Sequence, residues 1–324
     1  MTWTTILSFL ISAITLGITF LFGSTGEIIT EKSGHLNLGI PGVMCVGASF
    51  GCYGAALYTG SLSSYSEMKT IPTILIPILF SLFGSALMGL LYSFLTVSLR
   101  ANQNVTGLAL TTFGVGVSDY MVDMFSNASN SKVTVFFKQP IFPFYTKLGW
   151  FGELFLSYGI LVYLGIVIAL LASFFLHHTR TGLYLRAVGE DPATADADGI
   201  NVTAYRYLAT IIGSAIAGLG GFFFIIDYLG GNWEYCIDAM GWLSVALVIF
   251  TVWRPNISII GSFLFGALYV ASGYIKGISF AEKELFKMLP YVVTIVVLIM
   301  TSIRNKRENQ PPAGLGKNYY REER

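Results

Sequence analysis

Apolar runs of about 18 residues or more recur along this chain, each long enough to cross a hydrocarbon core roughly 30 Å thick as a helix. They fall near 5–22, 38–57, 72–99, 105–124, 157–176, 207–226, 240–253, 257–275 and 289–303. Only 11% of the 324 residues are charged, against about 25% in a soluble domain. The fold class is therefore all-α: a polytopic transmembrane helical bundle of about eight to ten spans. The run at 240–253 holds 14 residues, about 21 Å at 1.5 Å per residue, which is short for a crossing. It either begins earlier, near Tyr235, or forms a re-entrant pair with its successor.

A net charge of +1 argues against nucleic-acid binding and against a polybasic lipid anchor. Cys45, Cys52 and Cys236 show no C-x-x-C spacing and read as small buried hydrophobes. Met1-Thr2-Trp3-Thr4 leads into the first run without Lys or Arg, so that run is expected to be a retained span.

Sidedness is read from the basic residues near span ends. With the 176–207 connection in the cytoplasm, Arg100, Arg180, Arg186, Arg206, Arg254, Arg304, Arg307, Arg321 and Arg324 all fall inside. The outside connections then carry only lysines: Lys69, Lys132, Lys138, Lys147, Lys276, Lys283 and Lys287. This places the N-terminus outside and the C-terminus in the cytoplasm. The long 125–156 connection becomes extracytoplasmic, with Trp150 and Phe151 suited to the interface. The bundle is expected over 1–304, with a tail at 305–324 whose Pro, Gly and charge content reads as disordered.

Glycines cluster inside spans: Gly39, Gly42, Gly47, Gly51 and Gly54 in one, Gly213, Gly218, Gly220 and Gly221 in another. Gly47 and Gly51 form a small-xxx-small pair that lets backbones approach closely. Gly39, Pro41 and Gly42 also predict a helix broken at its start, which lipid tolerates only against protein or a polar path. Such interrupted segments in each half hint at an internal repeat.

Between two apolar runs lies a polar, self-capped segment, 182–200. Asp191 is a good N-cap, Pro192 suits the first helical position, and Gly199 is placed to end the helix. So short a helix is marginal alone in water and needs a docking partner.

These residues carry a family resemblance. Gly182-Leu183, then Arg186-Ala187-Val188-Gly189-Glu190-Asp191-Pro192, Ala195 and Gly199-Ile200, resemble the signature of ATP-binding-cassette importer permease subunits related to ribose, simple-sugar and branched-chain amino-acid permeases. Gly26-Glu27, Glu31-Lys32-Ser33-Gly34-His35-Leu36-Asn37-Leu38-Gly39 and Ala217-Gly218-Leu219-Gly220-Gly221 look closest to the nucleoside permeases served by basic membrane lipoproteins. The resemblance implies a plasma-membrane transport subunit, not an enzyme, that moves a polar solute such as a nucleoside or simple sugar. A branched-chain amino-acid permease and an autonomous, ion-driven carrier remain as alternatives. The implied partners are ATPase subunits, a second permease subunit, identical or homologous, and an extracytoplasmic substrate-binding lipoprotein. Gly182, Arg186, Ala187, Gly189, Glu190, Asp191, Pro192, Ala195 and Gly199 would couple to the ATPase. No G-x-x-x-x-G-K-S/T run exists, so ATP is expected on the partner and no cofactor on this chain.

An ionisable group deep in a membrane span usually faces the bundle interior or a cavity. Asp119, with the neutral groups Asn37, Thr106, Thr111 and Thr112, is a candidate for a polar path. Asp227 is expected at the outer interface beside Asn232 and Trp233. His35 reads as isolated.

Overall fold

The computed structural model describes residues 3–275, 277, 279–304 and 310–320, and every regular element among them is helical. The chain opens with α1 (Trp3–Glu31), whose apolar run carries through to two acids, Glu27 and Glu31, buried one turn apart. After a non-helical stretch, α2 (Ile40–Gly60) starts behind Gly39 with Pro41 in its first turn, where the missing N–H costs no hydrogen bond. Next come α3 (Thr70–Ser93), extended by a π turn over Phe94–Ser98, and α4 (Gln103–Met121), capped by Asn102. The short α5 (Asn127–Lys138) and α6 (Gly149–Phe155) precede α7 (Ile160–His178). Then follow α8 (Arg180–Glu190), α9 (Pro192–Ala197) and α10 (Val202–Phe223), the last extended by a second π turn over Phe224–Tyr228. The chain closes with α11 (Ile237–Phe250), α12 (Pro255–Tyr274), α13 (Phe280–Lys287) and α14 (Leu289–Arg304).

Seven of these are long and apolar enough to cross a membrane: α1, α2, α3, α4, α7, α10 and α12, counting the π turns. All the apolar runs are helical, but α11 and α14 hold only 14 and 16 residues. The short run starts at Ile237 and stops at Phe250, because Val252 and Trp253 turn with φ of 55° and 54°.

Lipid tails are as apolar as leucine, so helices associate there by close packing of small residues. That is how the glycines are used. A Cβ on Gly47 would lie 2.4 Å from the Gly218 Cα, and one on Gly26 only 2.2 Å from the Gly213 carbonyl oxygen. Gly42 and Gly114 bring α2 and α4 into the same backbone contact.

The internal repeat takes a specific form. Gly84-Ser85-Ala86 with Gly89 in α3 matches Gly213-Ser214-Ala215 with Gly218 in α10. The contact is reciprocal: Gly89 lies against Ser214, and Gly218 against Ser85. Both helices end alike. Leu99 N–H donates to the Phe94 carbonyl and Ala101 N–H to that of Leu95, just as Leu229 does to Phe224 and Gly231 to Ile225. Positive φ follows in each, at Arg100 (56°) and Gly230 (68°). Ser98, at the end of α3, bonds Tyr207, near the start of α10, so the helices are antiparallel and the repeat is inverted.

The bundle has two distinct ends. At one, Trp3 meets Trp150 of α6 edge-on at 6.3 Å. At the other, α8 and α9 fold over the exit of α1 and the start of α10.

Candidate functional site

The α9 end is built around the predicted coupling segment. Thr179 opens α8 by accepting the Gly182 N–H at 3.0 Å, and Gly182 fits where a Cβ would stand 2.0 Å from the Phe175 carbonyl oxygen. At Asp191 the backbone leaves the helix, and its carboxylate accepts the N–H of Ala193 (3.0 Å) and of Thr194 (3.2 Å), and the Thr194 hydroxyl (2.6 Å). The Thr194 bonds hold the Asp191 carboxyl below its usual range. Gly199 ends the element with φ 85°, where glycine alone carries no strain.

The signature residues face two ways. Gly182, Gly189 and Ala195 point inward: Gly189 against the Lys32 carbonyl, Ala195 into a cluster with Val188 and Val202. Arg186, Ala187 and Pro192 are half-buried, while Glu190, Asp191 and Gly199 are exposed beside Thr194, Ala197 and Asp198. Burial lowers the Lys32 ammonium, and the neighbouring Glu190 charge raises it in part.

Residues 310–320 form a strap across this end. Gly314 N–H donates to the Gly189 carbonyl (2.9 Å) and Gly316 N–H to that of Gly34 (3.2 Å). Ala313 N–H reaches Glu190, the Asn318 amide reaches the Arg100 carbonyl (2.7 Å), and the Tyr319 hydroxyl donates to Asp196 (2.8 Å). The reason is chemical: Gly and Pro let backbone approach backbone, so a composition shared with disordered chains also suits a docked strap. Residues 305–309 and 321–324, including Arg307, Arg321 and Arg324, lie outside the described residues, as does Lys276.

Beneath α8 is a buried polar centre. Glu27 accepts the Asn37 N–H at 3.0 Å, Asn37 accepts the Gly39 N–H at 2.9 Å, and Glu31 accepts from the Trp253 indole. His35 Nδ1 lies 2.9 Å from the Thr210 hydroxyl, which is also within 2.9 Å of the Arg206 carbonyl. Tyr92 donates to the Leu36 carbonyl and packs on His35 at 5.2 Å. Among the described residues, Glu27 Oε2, His35 Nε2 and Asn37 Nδ2 are buried without a hydrogen-bond partner.

Among the path candidates, Asn37 is part of this centre and Thr111 reaches its edge. Thr106 is buried and Thr111 donates to the Leu38 carbonyl at 2.9 Å. Thr112 is exposed and bonds back to Leu108 of its own helix. Asp119 stands apart, two turns further along α4, exposed beside a cavity of about 20 Å³ with Asp238 and Tyr235. His35 is not isolated, and Asp227 is buried, 6% exposed, within the second π turn near Lys138 and Tyr158. In the sequence Glu27 and Glu31 carried the resemblance but no role at this centre, and Tyr92, Gln103 and Trp253 carried neither. Spacing of the two acids by one helical turn, had α1 been continued beyond residue 22, would have signalled a shared face.

These features define a class: a polytopic helical membrane protein with a buried polar centre and one capped element folded outside the bundle. The chain belongs to the family described as branched-chain amino acid transport system / permease component, which matches residues 7–298. It is 31% identical to the nucleoside ABC transporter permease protein NupC of Lactococcus lactis subsp. cremoris, over 86% of this chain and 87% of that one. It is 30% identical to the putative glucose ABC transporter permease protein TsgC13 of Haloferax volcanii, over 93% and 94%. It is 27% identical to the guanosine ABC transporter permease protein NupQ of Bacillus subtilis, over 84% and 85%. No solved structure matches.

Proposed function

We propose that this chain is the membrane-spanning subunit of an ATP-binding-cassette importer that carries a nucleoside. One observation carries the reading: α9 is clamped from behind through Ala195 and the strap while its capped front is left exposed. A short helix so held transmits a push instead of yielding to it. The pushing partner is an ATPase pair, and the movement passes through Gly189 to the Lys32–Gly34 turn and the polar centre. Arg100, Arg180, Arg186, Arg206 and Arg254 gather at the α9 end, which supports placing it in the cytoplasm. A second permease subunit and an extracytoplasmic binding lipoprotein complete the assembly.

The nucleoside reading rests on the likeness to a nucleoside and a guanosine permease and on the neutral character of Asn37, Thr106 and Thr111, with Asp119 nearer the opposite mouth. The test is reconstitution with the ATPase and binding protein in liposomes. Uptake of labelled nucleoside should require ATP and be outcompeted by other nucleosides, not by glucose or leucine. Competition by glucose alone would reassign the substrate.

A second reading, an ion-driven carrier, is favoured by one observation, the crowding of Glu27, Glu31, Lys32 and His35. Uptake by this chain alone in ATP-free liposomes would establish it and end the first reading.

A further inference from the structure

A polar cavity of about 430 Å³ opens beside α9, between the end of α3 and the start of α10. Arg206 lines it, 3% exposed, and among the described residues its Nε and Nη2, both sealed from solvent, have no hydrogen-bond partner. A guanidinium cannot shed its charge, and a buried charge is stable only when paired. Among the described residues no carboxylate lies within ion-pair distance of it.

Two further features aim positive charge at the same space. Its wall includes the first turn of α10, where N–H groups have no acceptor within the helix. Asn201 takes that of Ala204, which leaves those of Val202 and Thr203 at the positive end of a 22-residue helix. Arg100 adds a second guanidinium, held over the Tyr320 ring at 4.8 Å. The acid on the opposite wall, Asp196, accepts from the Tyr319 hydroxyl at 2.8 Å.

We infer that this cavity is a binding site for a phosphate group, held by the Arg206 guanidinium and the α10 N-terminus. Phosphate oxygens accept both from helix-terminal N–H groups and from the guanidinium N–H that faces the cavity. The volume leaves room for an organic substituent. The site lies where a membrane-crossing helix begins, so the phosphate comes either from a phospholipid headgroup or from a soluble phosphate ester. The inference does not depend on the transported substrate.

The experiment uses the full chain, purified in detergent and stripped of lipid, with thermal unfolding as readout. Glycerol 3-phosphate and short-chain phosphatidic acid are titrated separately, with glycerol and short-chain diacylglycerol as neutral controls. At least one phosphate should raise the midpoint saturably, and the one that does identifies the source. Arg206→Gln should weaken that apparent affinity at least tenfold. Thr203→Glu, which supplies a carboxylate at the exposed rim, should raise the midpoint without ligand and abolish the response. It also keeps the inference testable if Arg206→Gln does not fold. No shift with either phosphate, or a shift of the same size in either variant, would overturn the site.

Discussion

At Gly189, where α8 meets the bundle, there is no room for a methyl group. A Cβ there would lie 2.2 Å from the Lys32 carbonyl oxygen and 3.0 Å from the Gly34 nitrogen, both backbone atoms. Ordinary contact starts at 3.4 Å, so Gly189→Ala demands about 1.2 Å of separation between α8 and that turn. Overpacking of this kind costs about 1–3 kcal/mol. The same shift takes the Gly314–Gly189 bond from 2.9 Å out of range, a further loss of about 1 kcal/mol. Alanine returns about 1 kcal/mol of helix propensity, so the net loss is about 1–3 kcal/mol. At roughly 2–4 °C per kcal/mol, the unfolding midpoint in nanodiscs, followed by tryptophan fluorescence, should fall by about 2–12 °C. Gly116→Ala is the control: Gly116 sits mid-helix in α4 with nothing within 4 Å of its Cβ position, and that variant should melt at or above the wild type. A Gly189→Ala protein that melts within a degree of wild type would refute the packing of α8 on the Lys32–Gly34 turn.

Trp253→Phe removes the indole donor from buried Glu31 and should cost about 1–3 kcal/mol in the same assay, as an unsatisfied buried acceptor does; unchanged melting counts against that bond. Deleting residues 310–324 should leave membrane insertion intact but raise amide exchange across 189–199; exchange equal to wild type would mean the strap is not docked. The Asp191 carboxyl is held below its usual range, so its cap is fully present at neutral pH and fades as pH falls through that lowered value. Exchange at Ala193 and Thr194 should therefore stay slow down to the ordinary Asp range near about 3.9, and be fast at every pH in Asp191→Ala. A cap lost already at pH 6 contradicts this.

The helices were legible because lipid imposes a simple rule: a span must be apolar and long. The α9 element was legible for a similar reason, since Asp191, Pro192 and Gly199 are local signals whose meaning does not depend on distant contacts. What escaped is long-range. Nothing local to residues 310–320 says that Gly314 meets Gly189 or that Asn318 reaches Arg100. Glu27 and Glu31 were left out of the first span because its apolar run was ended at residue 22, yet Asn37 and Trp253 each give them a hydrogen bond inside the bundle. Gly189 shows what a local signal leaves out: it belongs to the coupling signature, and only the fold shows that it seats α8 on the Lys32 carbonyl. The reciprocal Gly-Ser-Ala motifs of α3 and α10 were visible as letters, but only their contact reveals an inverted repeat.

The central claim is that the exposed front of α9 is where an external ATPase grips the bundle. A photo-crosslinking side chain at Thr194 or Ala197, both exposed, tests it in the reconstituted complex, with Ser64 at the opposite end as control. The account predicts an adduct with the ATPase from Thr194 or Ala197, changed in yield by ATP, and none from Ser64. Adducts from Ser64 alone, or none from α9 in a complex that hydrolyses ATP and transports, would contradict it.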